Sequence, residues 1–135
     1  MAFKLHAQLD QDTLELGRLR LSRVLLMLDA NYPWLILVPE REGIKELFEL
    51  NNDEQLCLMK EVTRCSQTLH EAFSADKINV AALGNMVPQL HVHLIVRYTQ
   101  DPAWPEPVWG KLPRKEYEAD ELKARVAQLS ALLGF

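Results

Sequence analysis

The sequence predicts an α+β fold: a meander of about five antiparallel strands with a long helix packed on one side of the sheet. Three observations predict it. Apolar runs of strand length alternate with turn formers through the first forty residues, a stripe of apolar residues at helical spacing follows, and two more strand-length runs come after it. The last of these runs carries two histidines on one face.

Residues 14–21 alternate leucine with Glu, Gly and Arg, with a break in the alternation near Gly17. This reads as a half-buried edge or outer strand with a bulge. Residues 24–28 and 34–38 are continuous apolar runs on either side of Asp29-Ala30-Asn31-Tyr32-Pro33. The turn formers between them make a hairpin of two central strands. Pro39 lacks the N–H that a ladder needs and ends the second strand, and a short helical segment is expected over residues 44–50. The longest helix is expected over residues 53–73, with Asn52 as N-cap and Gln55 three residues on, as in a capping box. Leu56, Met59, Val62, Cys65, Leu69 and Phe73 then fall on one stripe that should lie on the sheet. Such a stripe is core, and no function is assigned to it. Residues 77–83 and 90–98 are the last two strands, joined by Gly84-Asn85-Met86-Val87-Pro88. In residues 100–113 the prolines and the two tryptophans Trp104 and Trp109 exclude a regular element, and residues 115–133 close as an amphipathic helix. No internal repeat or low-complexity tract is visible.

With 135 residues, 48% hydrophobic and 25% charged, the chain is expected to form a single domain over 1–135, with 99–135 as a Trp- and Pro-rich tail and a C-terminal helix. The net charge of −4 offers no basic footprint for a nucleic-acid backbone and leaves a small phosphorylated ligand open. Cys57 and Cys65 lie too far apart on one helix to bridge and read as small buried hydrophobes. The first residues lack the apolar core of a signal peptide, and no apolar run reaches the roughly 20 residues of a membrane span. A cytoplasmic protein with no membrane partner is expected.

In a strand, alternate side chains share a face. Gln89, His91, His93 and Arg97 therefore point one way, and Leu90, Val92, Leu94 and Val96 the other, so one face should be polar and one apolar. Two imidazoles at i and i+2, facing a Gly84-Asn85 loop with backbone N–H donors, suit a bound phosphate. The same pair also suits a metal ion, but a metal needs further ligands. Of the other histidines, His6 lies in an N-terminal arm and His70 on the long helix, so neither is clearly placed to supply one.

The segment Gln89-Leu90-His91-Val92-His93-Leu94-Ile95 resembles the signature of the histidine triad family, His-φ-His-φ-His-φ-φ with φ apolar. The stretch from Lys77 to Pro88 is similar to the strand and Gly-polar-x-Val loop that precede the signature, and the hairpin and long helix match in order, so the resemblance covers residues 14–98. It implies a HIT-like fold and a nucleotide hydrolase or nucleotidyl transferase acting on a phosphoramidate, a dinucleoside polyphosphate or a similar conjugate. It further implies that His91 attacks the α-phosphate to form a covalent nucleotidyl-histidine, that His93 contacts phosphate or leaving-group oxygens, and that Asn85, Asn79 and Asp29 contact phosphate and ribose. Arg97 reads as a phosphate partner or as a solvated strand-end charge, and Asp29 and Asn79 have equally plain alternatives as turn and strand-edge residues. Gln89 stands where the first histidine of the triad is expected, and its main-chain carbonyl remains to hold the His91 ring. Met86 stands where relatives often carry a small hydroxylated residue. These two departures keep a second reading open, a nucleotide-binding protein with little turnover. A third reading is a metal-binding protein that uses the His91-x-His93 pair; the leading reading expects no cofactor and no metal, and the resemblance implies a homodimer formed through the long helix and a neighbouring strand.

Overall fold

The computed structural model describes residues 2–135. Strands β1 (Thr13–Arg18), β2 (Ser22–Met27), β3 (Trp34–Pro39), β4 (Lys77–Ala81) and β5 (Val92–Arg97) form one five-stranded antiparallel sheet. Helices α1 (Ala7–Asp12), α2 (Asn52–Ala72) and α3 (Ala119–Leu133) and a 3₁₀ turn at Leu47–Glu49 complete the regular elements. The α+β class and the long helix on the sheet are as expected. The order β1-β2-β3-β5-β4 is not a plain meander, because the chain leaves β3, crosses the sheet through α2, lands on the far edge as β4 and returns between as β5.

The expected division of the last strand into a polar and an apolar face is corrected, since the face that carries the histidines also carries a second core. Val24, Leu26, Leu35, Leu37, Leu94 and Val96 face α2 and α3 in one core, while Leu25, Trp34, Ile36, Val38 and Ile95 form a second core with Leu9 of α1 and Ala103 and Val108 of the tail. A strand covered on both sides reads as a continuous apolar run, which is why β2 and β3 do not alternate. The site histidines therefore sit at the margin of a second core.

Helix α2 is capped one residue earlier than expected. The Asn51 side chain accepts the Glu54 N–H at 2.9 Å and the Glu54 carboxylate accepts the Asn51 N–H at 2.9 Å. A carboxylate is a stronger reciprocal acceptor than the amide of Gln55, whose side chain donates instead to the Leu50 carbonyl. The buried face is correspondingly Leu58, Val62, Cys65 and Leu69, with Glu61 among them, and Leu56 and Met59 are each 63% exposed. Both thiols are free, and burial pushes that of Cys65 up to about 11.

The bulge of β1 falls between Glu15 and Gly17, where a Cβ on Gly17 would stand 2.5 Å from the Phe135 ring. Helix α3 starts four residues later than expected because Lys115 is engaged elsewhere. Its carbonyl accepts the Ala30 N–H at 2.7 Å and its N–H donates to Asp29 at 3.3 Å. Among the described residues no helix is long and apolar enough to cross a membrane.

Candidate active site

His91 lies in the last position before β5 and His93 inside it, on the face of the second core. With Leu9, Asp12, Met27, Ile36, Trp109 and the loop from Leu83 to Val87 they line a cavity of about 320 Å³. Gly84 takes a left-handed φ of +76°, which turns the loop beside the histidines and is strained for any residue with a Cβ. Both rings are nearly buried, and they meet edge to face with centroids 4.9 Å apart.

The two imidazoles are held by different partners. Nδ1 of His91 lies 2.7 Å from the Gln89 carbonyl oxygen. A carbonyl only accepts, so Nδ1 carries the proton and Nε2 keeps a free lone pair. Nδ1 of His93 lies 3.0 Å from the indole N–H of Trp34. Burial lowers the pKa of both, down to about 3 for His93; the Gln89 carbonyl partly opposes this for His91, and His6 adds to it. Both are neutral at pH 7.

The remaining expected residues divide. Asn85 lines the cavity, as does the 92% exposed Met86. Asp29 does not line it: its carboxylate accepts the Asn31 N–H at 3.0 Å and side-chain amide at 2.9 Å, and also ties in Lys115. Arg97 is not a solvated charge. It is 1% exposed, its guanidinium donates to Asp101 at 2.7 and 3.1 Å, to the Asn79 side chain at 2.7 Å and to the Glu106 carbonyl at 2.8 Å. The structure thus joins Asn79 and Arg97 to each other and to the tail, not to the cavity. Burial alone would raise the Asp101 carboxyl, yet Arg97 and the N–H groups of Tyr98, Ala103 and Trp104 hold it below the usual range.

Gln89 has an unexpected partner. Its side-chain oxygen accepts the His6 N–H at 2.9 Å and its amide nitrogen donates to the Lys4 carbonyl at 2.9 Å. This two-point contact fixes the arm that leads into α1, whose first turn is capped by Nδ1 of His6 and which presents Leu9 and Asp12 to the cavity. Sequence reasoning missed α1, His6 and Trp34 as neighbours of the site, since no periodic pattern links residues 4–6 or 34 to residues 89–93. The tail also belongs here. Trp109 stands edge-on to His93 at 5.0 Å, and Trp104 packs under the Arg97 guanidinium. Among the described residues no group of three or more His, Cys, Asp or Glu side chains is placed to share a metal ion.

The family model described as HIT domain matches residues 8–100. Among solved structures, a histidine triad protein from Marinobacter aquaeolei is 51% identical with a TM-score of 0.96, covering 99% of this chain and 98% of that one. A histidine triad protein from Bradyrhizobium japonicum is 47% identical with a TM-score of 0.94, covering 97% and 98%. Among curated proteins, the asymmetrical bis(5'-nucleosyl)-tetraphosphatase of Schizosaccharomyces pombe is 28% identical over 104 residues. That match takes in 73% of this chain and only 57% of the length of that relative.

Proposed function

The chain belongs to the HIT domain family, and from that premise we propose that it is a nucleotide hydrolase or nucleotidyl transferase whose nucleophile is Nε2 of His91. The observation that carries this reading is the 2.7 Å contact of His91 Nδ1 with the Gln89 carbonyl, which leaves the other ring nitrogen unprotonated on the wall of a cavity. Nε2 attacks the α-phosphorus, and the bond from phosphorus to the leaving group breaks with its electron pair going to that group. The leaving group takes up one proton; water or another acceptor then attacks the nucleotidyl-histidine and gives one up, the P–N bond breaks with its electron pair returning to Nε2, and the neutral imidazole is restored. Through both steps the proton stays on Nδ1 of His91 and is donated to the Gln89 carbonyl, whose oxygen offsets the positive charge that the phosphorylated ring develops. His93, Asn85 and the backbone N–H groups after Gly84 stabilise the phosphoryl oxygens. In this reading Gln89 is the substituted first position of the triad, and Asn79, Arg97 and Asp29 hold the tail that closes the site instead of touching the nucleotide. The single domain expected over 1–135 then acts as one unit.

The residues lining the cavity include one carboxylate, Asp12, and no Lys or Arg, and both histidines are neutral. Such a site suits a single phosphate on a nucleoside, as in a nucleoside 5'-phosphoramidate, better than the densely charged chain of a dinucleoside polyphosphate.

The test is a labelled nucleoside phosphoramidate, quenched without acid and peptide-mapped. The label is expected on His91. His91→Ala should fold, still bind the nucleoside monophosphate by calorimetry, and lose turnover by on the order of a thousandfold or more. Label on His93, or wild-type turnover by His91→Ala, would refute the mechanism.

A further inference from the structure

We propose that Trp34 is a positioning residue of this site: its indole N–H fixes the His93 imidazole in the tautomer that carries its proton on Nε2. The hydrogen bond itself is geometric fact, at 3.0 Å between two buried groups. An indole N–H can only donate, so Nδ1 of His93 must accept, and a neutral imidazole that accepts at Nδ1 keeps its single proton at Nε2. His91 is the mirror case, protonated at Nδ1 because a carbonyl can only accept. Two like residues, two positions apart, are thereby given opposite assignments, one Nε2 with a lone pair and one Nε2 with an N–H.

The fold makes the Trp34 donor rigid. Ile36 of β3 is paired with His93 of β5, so Trp34, two residues along the same face, is its diagonal neighbour and the indole spans the gap. Trp34 is 4% exposed, and Tyr32 and Trp109 stand edge-on to it at 6.3 and 5.8 Å. The indole cannot rotate away without displacing both. Protonating His93 would set two N–H groups against each other and orphan the buried indole donor, which acts in the same direction as the burial that holds His93 neutral. What the Nε2 proton does rests on the hydrolase reading, in which it is a neutral donor to a phosphoryl or leaving-group oxygen that does not lose its proton before the reaction.

The experiment reads the tautomer and the chemistry separately. Long-range ¹H–¹⁵N correlation of the histidine rings at neutral pH should show His93 of the wild-type protein protonated on Nε2 alone. Replacing Trp34 with β-(3-benzothienyl)alanine, which keeps the ring and sets sulfur in place of the N–H, should mix the two tautomers and move the titration of His93 up toward that of a free imidazole. Trp34→Phe should do the same. On a nucleoside phosphoramidate both variants should lose kcat by about 10- to 100-fold, at most what the outright removal of one donor to the phosphoryl oxygens costs. KM should change by less than about threefold, and the acid limb of the kcat–pH profile should move toward higher pH than in the wild-type protein. Wild-type His93 protonated on Nδ1 would overturn the inference, and so would a benzothienyl variant whose His93 keeps its tautomer and whose pH profile stays put. A wild-type protein that shows the expected tautomer but turns over no nucleotidyl substrate would refute the hydrolase reading and leave the role of Trp34 in fixing His93 standing.

Discussion

His93 is held neutral mainly by burial, with its titration down to about 3, and burial lowers His91 as well. An unfolded histidine titrates near 6.5, so between that value and the lowered folded values the unfolded chain binds more protons than the native one. Stability then rises with pH across this window and is lost as pH falls from about 6.5 toward 3, at up to about 1.4 kcal/mol per pH unit for each histidine kept fully unprotonated in the native state. Urea unfolding at pH 7 and pH 5 should therefore show a lower stability at pH 5, and His93→Gln should reduce that difference. An equal difference in the variant would mean that His93 is not the group responsible. These two histidines were legible in the sequence because period-2 alternation places both on one face. The settings of Asp29, Asn79 and Arg97 were not. Their partners are Asp101, Glu106 and Lys115, in a tail where prolines remove every periodic signal, and a buried ion pair looks the same in a sequence as a solvated charge.

At the scale of elements, α2 was legible as a helix, and its expected stripe holds at Val62, Cys65, Leu69 and Phe73 but was misread in the first turns. Leu56 and Met59 fit a three-and-four spacing as well as Leu58 and Val62 do, and only the sheet beneath decides which set is covered. Helix α1 was not legible at all, because a segment of six residues shows barely two turns of pattern and its anchor is Gln89, more than eighty positions away. That anchor reverses an expectation about the triad. From sequence alone, Gln89→His should leave turnover unchanged or raise it. In the structure the Gln89 amide both accepts from His6 and donates to Lys4. A shorter imidazole, whose two nitrogens diverge, cannot replace both bonds. The variant should lose about 1 to 2 kcal/mol for two net hydrogen bonds. It should also speed amide exchange in residues 4–12 and raise KM, since Leu9 and Asp12 reach the cavity from α1. Exchange and stability at wild-type values would show that the arm is held without Gln89, by Phe3, Leu5 and Leu9 in the second core alone.

At the scale of the whole molecule, the strand order places β4 on an outer edge beside α2, and there large apolar side chains are exposed. Phe48 is 80% exposed, Met59 63%, Val80 51% and Leu47 48%, and all four line one groove between α2 and β4. The local pattern of the sequence could not reveal this, because Met59, which reads as core by spacing, is exposed while Leu58 takes the buried place in the first turns. A contiguous apolar patch next to an open strand edge favours association. We propose that a second copy covers it, as the family resemblance implies. A two-fold pair sets the same patch against itself, so each apolar residue meets apolar surface on both sides of the axis. Light scattering at micromolar concentration should then give twice the 15.5 kDa of the chain. Met59→Glu combined with Val80→Lys places one charge on each element of the groove and should give a monomer that still folds, since both side chains are more than half exposed in the isolated chain. A wild-type monomer would remove the proposal outright. A dimer that survives the double substitution would place the interface elsewhere on the surface, and the exposed ends of Trp109 and Met86 would be the next residues to replace.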